Sequence, residues 1–184
     1  MTALVTAFPW RPVVTTRRSI YRGAVVDLGI ESVTLPDGND IELEVVRHPG
    51  GAAVCAFDAR GAVCLLRQYR HAAGGWLWEL PAGKLESGES ALRTAQRELA
   101  EEAGLEAGDW QALAQVFTTP GFCDEVIHLF LARDLRTVPV RHEAHECIEV
   151  HWRPFDAALA MADRGEIRDA KTLLGLFCAA RRSP

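Results

Sequence analysis

Apolar and polar residues alternate with a period of two through much of the first 48 positions. Ile20–Leu28, Glu31–Leu35 and Ile41–Val46 are rich in β-branched residues and predict strands. Pro36-Asp37-Gly38-Asn39 has the composition of a turn between the last two. After His48-Pro49-Gly50-Gly51, two apolar runs, Ala52–Phe57 and Ala62–Tyr69, flank a turn at Asp58–Gly61 and together predict a β-hairpin. Gly74-Gly75 breaks the chain ahead of Trp76–Leu80, a further short strand.

The period then changes. Pro81–Gly88 has loop composition, and Ser87 is the predicted N-cap of a helix running through Ala103, with Gly104 as its stop. Strands resume at Trp110–Thr118 and Glu125–Ala132. A polar loop, Arg136–His145, precedes a last strand at Cys147–Pro154. Asp156–Ala162 and Ala170–Arg181 predict helices, the second with Leu173, Phe177 and Arg181 one turn apart. No repeat or low-complexity segment interrupts this order. The expected class is α+β.

The chain's 184 residues suffice for one domain with a small extension and a real core. Of these, 48% are hydrophobic and 24% charged, the balance of a soluble globule. A net charge of −5 without a long basic run argues against a nucleic-acid partner. The five cysteines, Cys55, Cys64, Cys123, Cys147 and Cys178, are odd in number and contain no C-x-x-C pair. They signal neither a disulfide framework nor a thiolate zinc site, and read instead as small, mostly buried thiols in a reducing compartment. The first residues do not resemble a secretion signal, and no apolar segment is long enough to span a bilayer. A cytoplasmic location is expected by elimination.

The chemistry concentrates on the central helix. At about 100° per residue, Glu98, Glu101 and Glu102 fall within one narrow arc, beside an apolar arc of Leu92, Ala95, Leu99 and Ala103. Three carboxylates on one edge work against the helix. Glu98 and Glu102 repel at i,i+4, at about 0.2–0.5 kcal/mol. Acids in the last turn also meet the negative end of the helix dipole, at about 0.3–1 kcal/mol each. Arg97 relieves part of this through Glu101, but one arginine does not neutralise three acids. A bound divalent cation does, and hard oxygen ligands suit magnesium or manganese. Three glutamates alone would ordinarily mean a solvated acidic face.

Spacing distinguishes the two. Gly83, Glu89, Arg97-Glu98, Leu99, Glu101-Glu102, Gly104 and Leu105 fall over 23 residues at the fixed positions of the Nudix hydrolase signature, which the segment resembles throughout. The resemblance implies an α/β/α sandwich with a mixed sheet and a loop–helix–loop that binds metal and diphosphate. It implies Glu98 and Glu102 as metal ligands, Glu101 as a further ligand or helper, and Arg97 as the residue that orients the acids. Outside this segment, Gln68-Tyr69-Arg70, Glu79-Leu80-Pro81-Ala82-Gly83-Lys84 and Pro120-Gly121-Phe122-Cys123-Asp124-Glu125 are similar to the ADP-ribose pyrophosphatase branch, with Pro120 fifteen residues after Leu105. In that branch the carbonyl of Ala82 would be another metal ligand.

From the same resemblance Arg70 is a phosphate-contact candidate and Arg47 a second of the same kind, while Glu125 is an acceptor for ribose hydroxyls. A water-activating glutamate is expected in the loop 141–146, where Glu146 and Glu143 are the candidates. His142, Ala144 and His145 depart there from the acid-rich pattern of the family. Residues 1–48 are expected to form an antiparallel strand extension that makes a homodimer, and residues 49–184 the hydrolase domain. The reading is magnesium-dependent cleavage of ADP-ribose to AMP and ribose 5-phosphate. The alternatives are another sugar nucleotide such as GDP-mannose, or a regulator that binds ADP-ribose without cleaving it.

Overall fold

The computed structural model describes residues 14–141 and 147–182. They divide into two compact units: the chain up to Gly50 with Phe117–Val126, and Gly51–Val116 with the chain from Ile127 onward.

The first unit is an antiparallel sheet of β1 (Val14–Arg22), β2 (Asp27–Thr34) and β3 (Asp40–Arg47), in that order. The expected single strand Ile20–Leu28 is instead the end of β1, a turn and the start of β2. Gly23 N–H donates to the Val26 carbonyl at 2.8 Å, and Arg22 faces Asp27 across the pair. Val25 and Val26 supply the strand-like composition, yet both sit exposed in the turn. The turn at 36–39 is as expected, with Asp37 accepting from Asn39 N–H. The segment 117–126 hooks onto β3: Val46 N–H donates to the Phe122 carbonyl at 2.7 Å and Asp124 N–H to that of Val46 at 3.1 Å.

The second unit holds two sheets. One has the order β7 (Ala82–Lys84), β4 (Gly51–Ala56), β9 (Val126–Thr137), β8 (Leu105–Phe117); the other has the order β10 (Ile148–Pro154), β5 (Ala62–Arg70), β6 (Gly75–Glu79). The first is mixed, β4 running parallel to β9 and antiparallel to β7. The expected hairpin of β4 and β5 is not formed. The strands share one bridge, Phe57 to Val63, around the Asp58 turn, and then part into different sheets. Both are apolar and buried along most of their length, so each finds its own partners: β9 and β7 for β4, β10 and β6 for β5. The loop expected over 81–88 contains β7, and β9 runs on into the loop expected from Arg136.

Alternation along β4 builds the layers. Ala53, Cys55 and Phe57 join Val63, Leu65, Leu129 and Leu131 in one core, covered by α2 (Phe155–Asp163) and α3 (Ala170–Ala180). Ala52, Val54 and Ala56 join Cys64 and Leu66 in the opposite core, under Ala95, Leu99 and Ala103 of α1 (Ala91–Ala103). The result is helix, sheet, helix. On α3 the buried positions are Thr172, Gly175, Leu176 and Ala179, while Phe177 faces out; on α1 Leu92 is likewise exposed.

α1 starts later than expected. Its N-cap is Ser90, not Ser87, with Ser90 Oγ accepting from Arg93 N–H. Residues 86–89 first close a turn, Glu89 N–H to the Glu86 carbonyl, with Gly88 at φ 80°, so helical backbone begins only beyond them. Gly104 ends the helix at φ 65°, as its composition requires. Cys55 and Cys64 are buried, but Cys123 and Cys178 are only partly so and Cys147 is exposed; all five are free.

Candidate active site

The acids of α1 lie against the short strand that precedes it. Ala82 N–H donates to Oε2 of Glu102 at 2.8 Å. At Gly83 a β-carbon would fall 1.8 Å from Oε1 of Glu98, so only glycine leaves room for that carboxylate. Glu102 is 3% exposed. Its negative charge adds to burial in pushing the neighbouring Cys64 thiol up to about 12, burial being the larger cause.

Arg97 is the hub of this edge. Its Nη1 donates to Glu98 at 2.6 Å and to Glu101 at 3.1 Å, Nη2 to the Lys84 carbonyl at 3.1 Å, and Nε to Glu89 at 3.2 Å. Against the cost of burial, these bonds, led by Glu89 and Glu98, raise the guanidinium further above its ordinary range. Glu89 is held in turn by the Thr94 hydroxyl, and its carboxyl lies below the usual range, chiefly through Arg97. Glu89 belongs to the sequence signature, yet its role as Arg97's anchor has no sequence signal beyond that spacing. A cleft of about 590 Å³ opens on the other side of Arg97, lined in part by Glu89, Arg93, Arg97, Glu101, Trp110 and Arg141, and Glu98 and Glu102 are not part of its wall.

Among the described residues no group of three histidine, cysteine or acidic side chains converges into a ready metal cage. What the edge offers is hard oxygen donors: Glu98 and Glu102 against the Ala82–Gly83 backbone, and the more exposed Glu101 across Arg97's fork. That chemistry suits a cation that keeps several waters and takes only one or two carboxylates from the protein.

Arg70 stands elsewhere in the same unit, at the end of β5. Its Nε and Nη2 clasp Glu79 at 2.8 and 2.9 Å, and the hydrogen bond to Glu79 is the main cause of its raised pKa, with Glu102 and Asp169 contributing charge. Glu79 is 1% exposed and also receives Lys171 Nζ at 2.5 Å. Glu79 opens the marker run Glu79–Lys84, but the sequence gives it no role and does not single out Lys171. A glutamate inside the apolar run Trp76–Leu80 is the physical signal of a buried charge, while its lysine partner lies 92 residues away.

Arg47 and Glu125 belong to the first unit. All three guanidinium nitrogens of Arg47 are engaged: Nε and Nη2 with buried Glu31, Nη1 with Asp124. This geometry is a clamp holding the 117–126 segment to the sheet, while Nη1 and Nη2 each keep a second N–H and the side chain is 38% exposed. Glu125 accepts from the Thr118 hydroxyl at 2.7 Å and lies 3.2 Å from His48 Nδ1. Glu143 and Glu146, the base candidates, lie outside the described residues.

Sequence and fold comparisons agree with this geometry. The NUDIX domain family matches residues 47–175, and the chain belongs to it. It is 39% identical over 158 residues to an ADP-ribose pyrophosphatase of Bacillus subtilis, covering 85% of each chain. To an ADP-ribose pyrophosphatase of Mycobacterium tuberculosis it is 40% identical over 162 residues, 86% of this chain and 78% of the relative. In fold it is similar to a crystal structure of an ADP compounds hydrolase, with a TM-score of 0.79, 19% identity and 96% coverage of both chains. The protein is thus a Nudix pyrophosphohydrolase, a class that generally uses divalent metal ions. None of the described helices is long and apolar enough to cross a membrane.

Proposed function

We propose that this enzyme hydrolyses ADP-ribose to AMP and ribose 5-phosphate, with magnesium as the working metal and manganese as a substitute. The observation that carries the reading is the acidic edge of α1 laid on Ala82–Gly83 and organised by Arg97. The relatives' names give its substrate class. Glu98 and Glu102 would hold the metal, with the Ala82 carbonyl as a further ligand and Glu101 as a ligand or helper. A divalent ion in such a site neutralises the diphosphate and lowers the pKa of the attacking water. Glu146 or Glu143 would accept that water's proton as the new P–O bond forms and the bridging P–O bond breaks. Arg70 would meet the diphosphate.

We also propose that residues 1–48 make a homodimer, the three-stranded sheet of β1–β3 being more strand than the hydrolase core needs. Five free cysteines support a cytoplasmic setting.

The test is a side-by-side phosphate-release assay at one magnesium concentration. kcat/KM for ADP-ribose is expected to exceed that for GDP-mannose, NADH and diadenosine polyphosphates by at least about tenfold, or ~1.4 kcal/mol of discrimination. Preference for GDP-mannose overturns the substrate and leaves the chemistry. Cleavage of no diphosphate overturns both.

A further inference from the structure

We propose that Lys171 is a positioning residue for substrate binding: it holds the charge of buried Glu79 so that Arg70 can leave Glu79 for the diphosphate. The inference rests on the reading above, in which Arg70 meets that group.

Glu79 ends β6 with its side chain 2% exposed, and two cations share it. Arg70 gives it Nε and Nη2, leaving Nη1 unused by Glu79, and 41% of the Arg70 side chain is exposed. Lys171 is the inner cation, 18% exposed, with Nζ at 2.5 Å from Glu79 and 2.9 Å from Asp169. Asp169 caps α3, accepting from both the N–H and the hydroxyl of Thr172. The Thr172 hydroxyl in turn accepts from Leu80 N–H at 2.9 Å. The first turn of α3 therefore grips both the side chain of Glu79 and the backbone one residue on, close to Ala82.

The two cations are not equivalent. Lys171 is enclosed by two acids and cannot reach outward without abandoning both. Arg70 lies at the rim, and its planar fork suits a phosphate as well as a carboxylate. If Arg70 were Glu79's sole partner, turning it toward substrate would leave a buried carboxylate unpaired, a state strongly disfavoured in a sheet interior. With Lys171 in place, Glu79 keeps a counter-ion throughout. Lys171 thus touches no substrate, yet sets the free energy at which Arg70 is released.

The experiment is a double-mutant cycle on Lys171→Gln, Lys171→Arg, Arg70→Ala and Arg70→Ala/Lys171→Gln, with circular dichroism to establish folding and Lys171→Met standing in should the glutamine variant not fold. KM and kcat are measured with ADP-ribose, and inorganic diphosphate is titrated calorimetrically in magnesium buffer. Lys171→Gln is expected to raise KM by about tenfold with kcat within about twofold, and to weaken diphosphate binding similarly, while Lys171→Arg stays within about twofold of wild type. In the Arg70→Ala background Lys171→Gln should change neither value by more than about twofold. Equal losses with and without Arg70, or wild-type binding by Lys171→Gln, overturn the inference, as does a wild type that binds no diphosphate. Failure to turn over ADP-ribose with the coupling to diphosphate intact removes the substrate alone.

Discussion

Gly83 and Glu98 are in contact in a way that only a glycine allows: the space a side chain at position 83 would need is filled by the Glu98 carboxylate. The strand before α1 and the first acid of its acidic edge are therefore fitted to each other through a missing methyl group. The Gly83→Ala enzyme should fold normally, because the obstructing atoms are the far end of a flexible side chain. Its Glu98 carboxylate should be displaced. Expected is a fall in kcat/KM of at least about tenfold, ~1.4 kcal/mol, with little change in melting temperature. A variant as active as wild type would detach Gly83 from the site.

The proposed metal dependence rests on the acids. Glu98→Gln and Glu102→Gln should each lower magnesium-dependent turnover by about a hundredfold or more, a loss of ~2.7 kcal/mol, while circular dichroism stays native. Undiminished turnover in excess chelator would remove the ion from the reaction.

Arg97 uses its whole fork, touching Glu89, Glu98, Glu101 and the Lys84 carbonyl. A single ammonium group does not reach all four. Arg97→Lys should therefore destabilise the metal-free protein by about 1–3 kcal/mol and lower activity as well. Chemical denaturation and initial rates measure the two separately, and an unaltered denaturation midpoint would deny Arg97 its organising place.

Glu79 adds a pH signature. Arg70 and Lys171 hold its carboxyl below the ordinary value of 4.5, against the opposing effect of burial. A depressed carboxylate pKa contributes stability that is full above the unfolded value and fades as pH falls through the folded one. The stability gap between wild type and Glu79→Gln should be widest near neutrality and close as pH drops below that ordinary value of 4.5. A gap that is flat from pH 7 to 3 would show that Glu79's charge contributes nothing.

Local signals carried most of the elements. Gly104 stops α1 because its left-handed backbone is a property of the residue itself. The acidic arc of Glu98, Glu101 and Glu102 was equally visible, since helix geometry alone aligns those positions. What stayed hidden depended on distant partners. The Asp58 turn looks like a hairpin turn, and nothing in Ala52–Phe57 or Ala62–Tyr69 reveals that each strand pairs with residues far along the chain. Ser87 has the right side chain for a cap, but the turn closed at Glu89 delays the helix by three residues. Arg47 and Arg70 look alike in sequence. Only the structure shows that Arg47 is shared between Glu31 and Asp124 while Arg70 clasps Glu79 alone.

The six residues of β4, Gly51–Ala56, include no side chain larger than valine, and they touch a helical layer on each face. β4 also pairs directly with β7, setting Ala53 opposite Ala82 and Ala52 opposite Gly83. The strand thus works as a feeler gauge between the backbone that flanks the acids and the helix that carries them. Methyl groups at Ala52 and Ala56 fix the stand-off at which α1 rides. Residues with no chemistry of their own therefore calibrate the proposed site, and a single added methylene there should detune catalysis from beneath it.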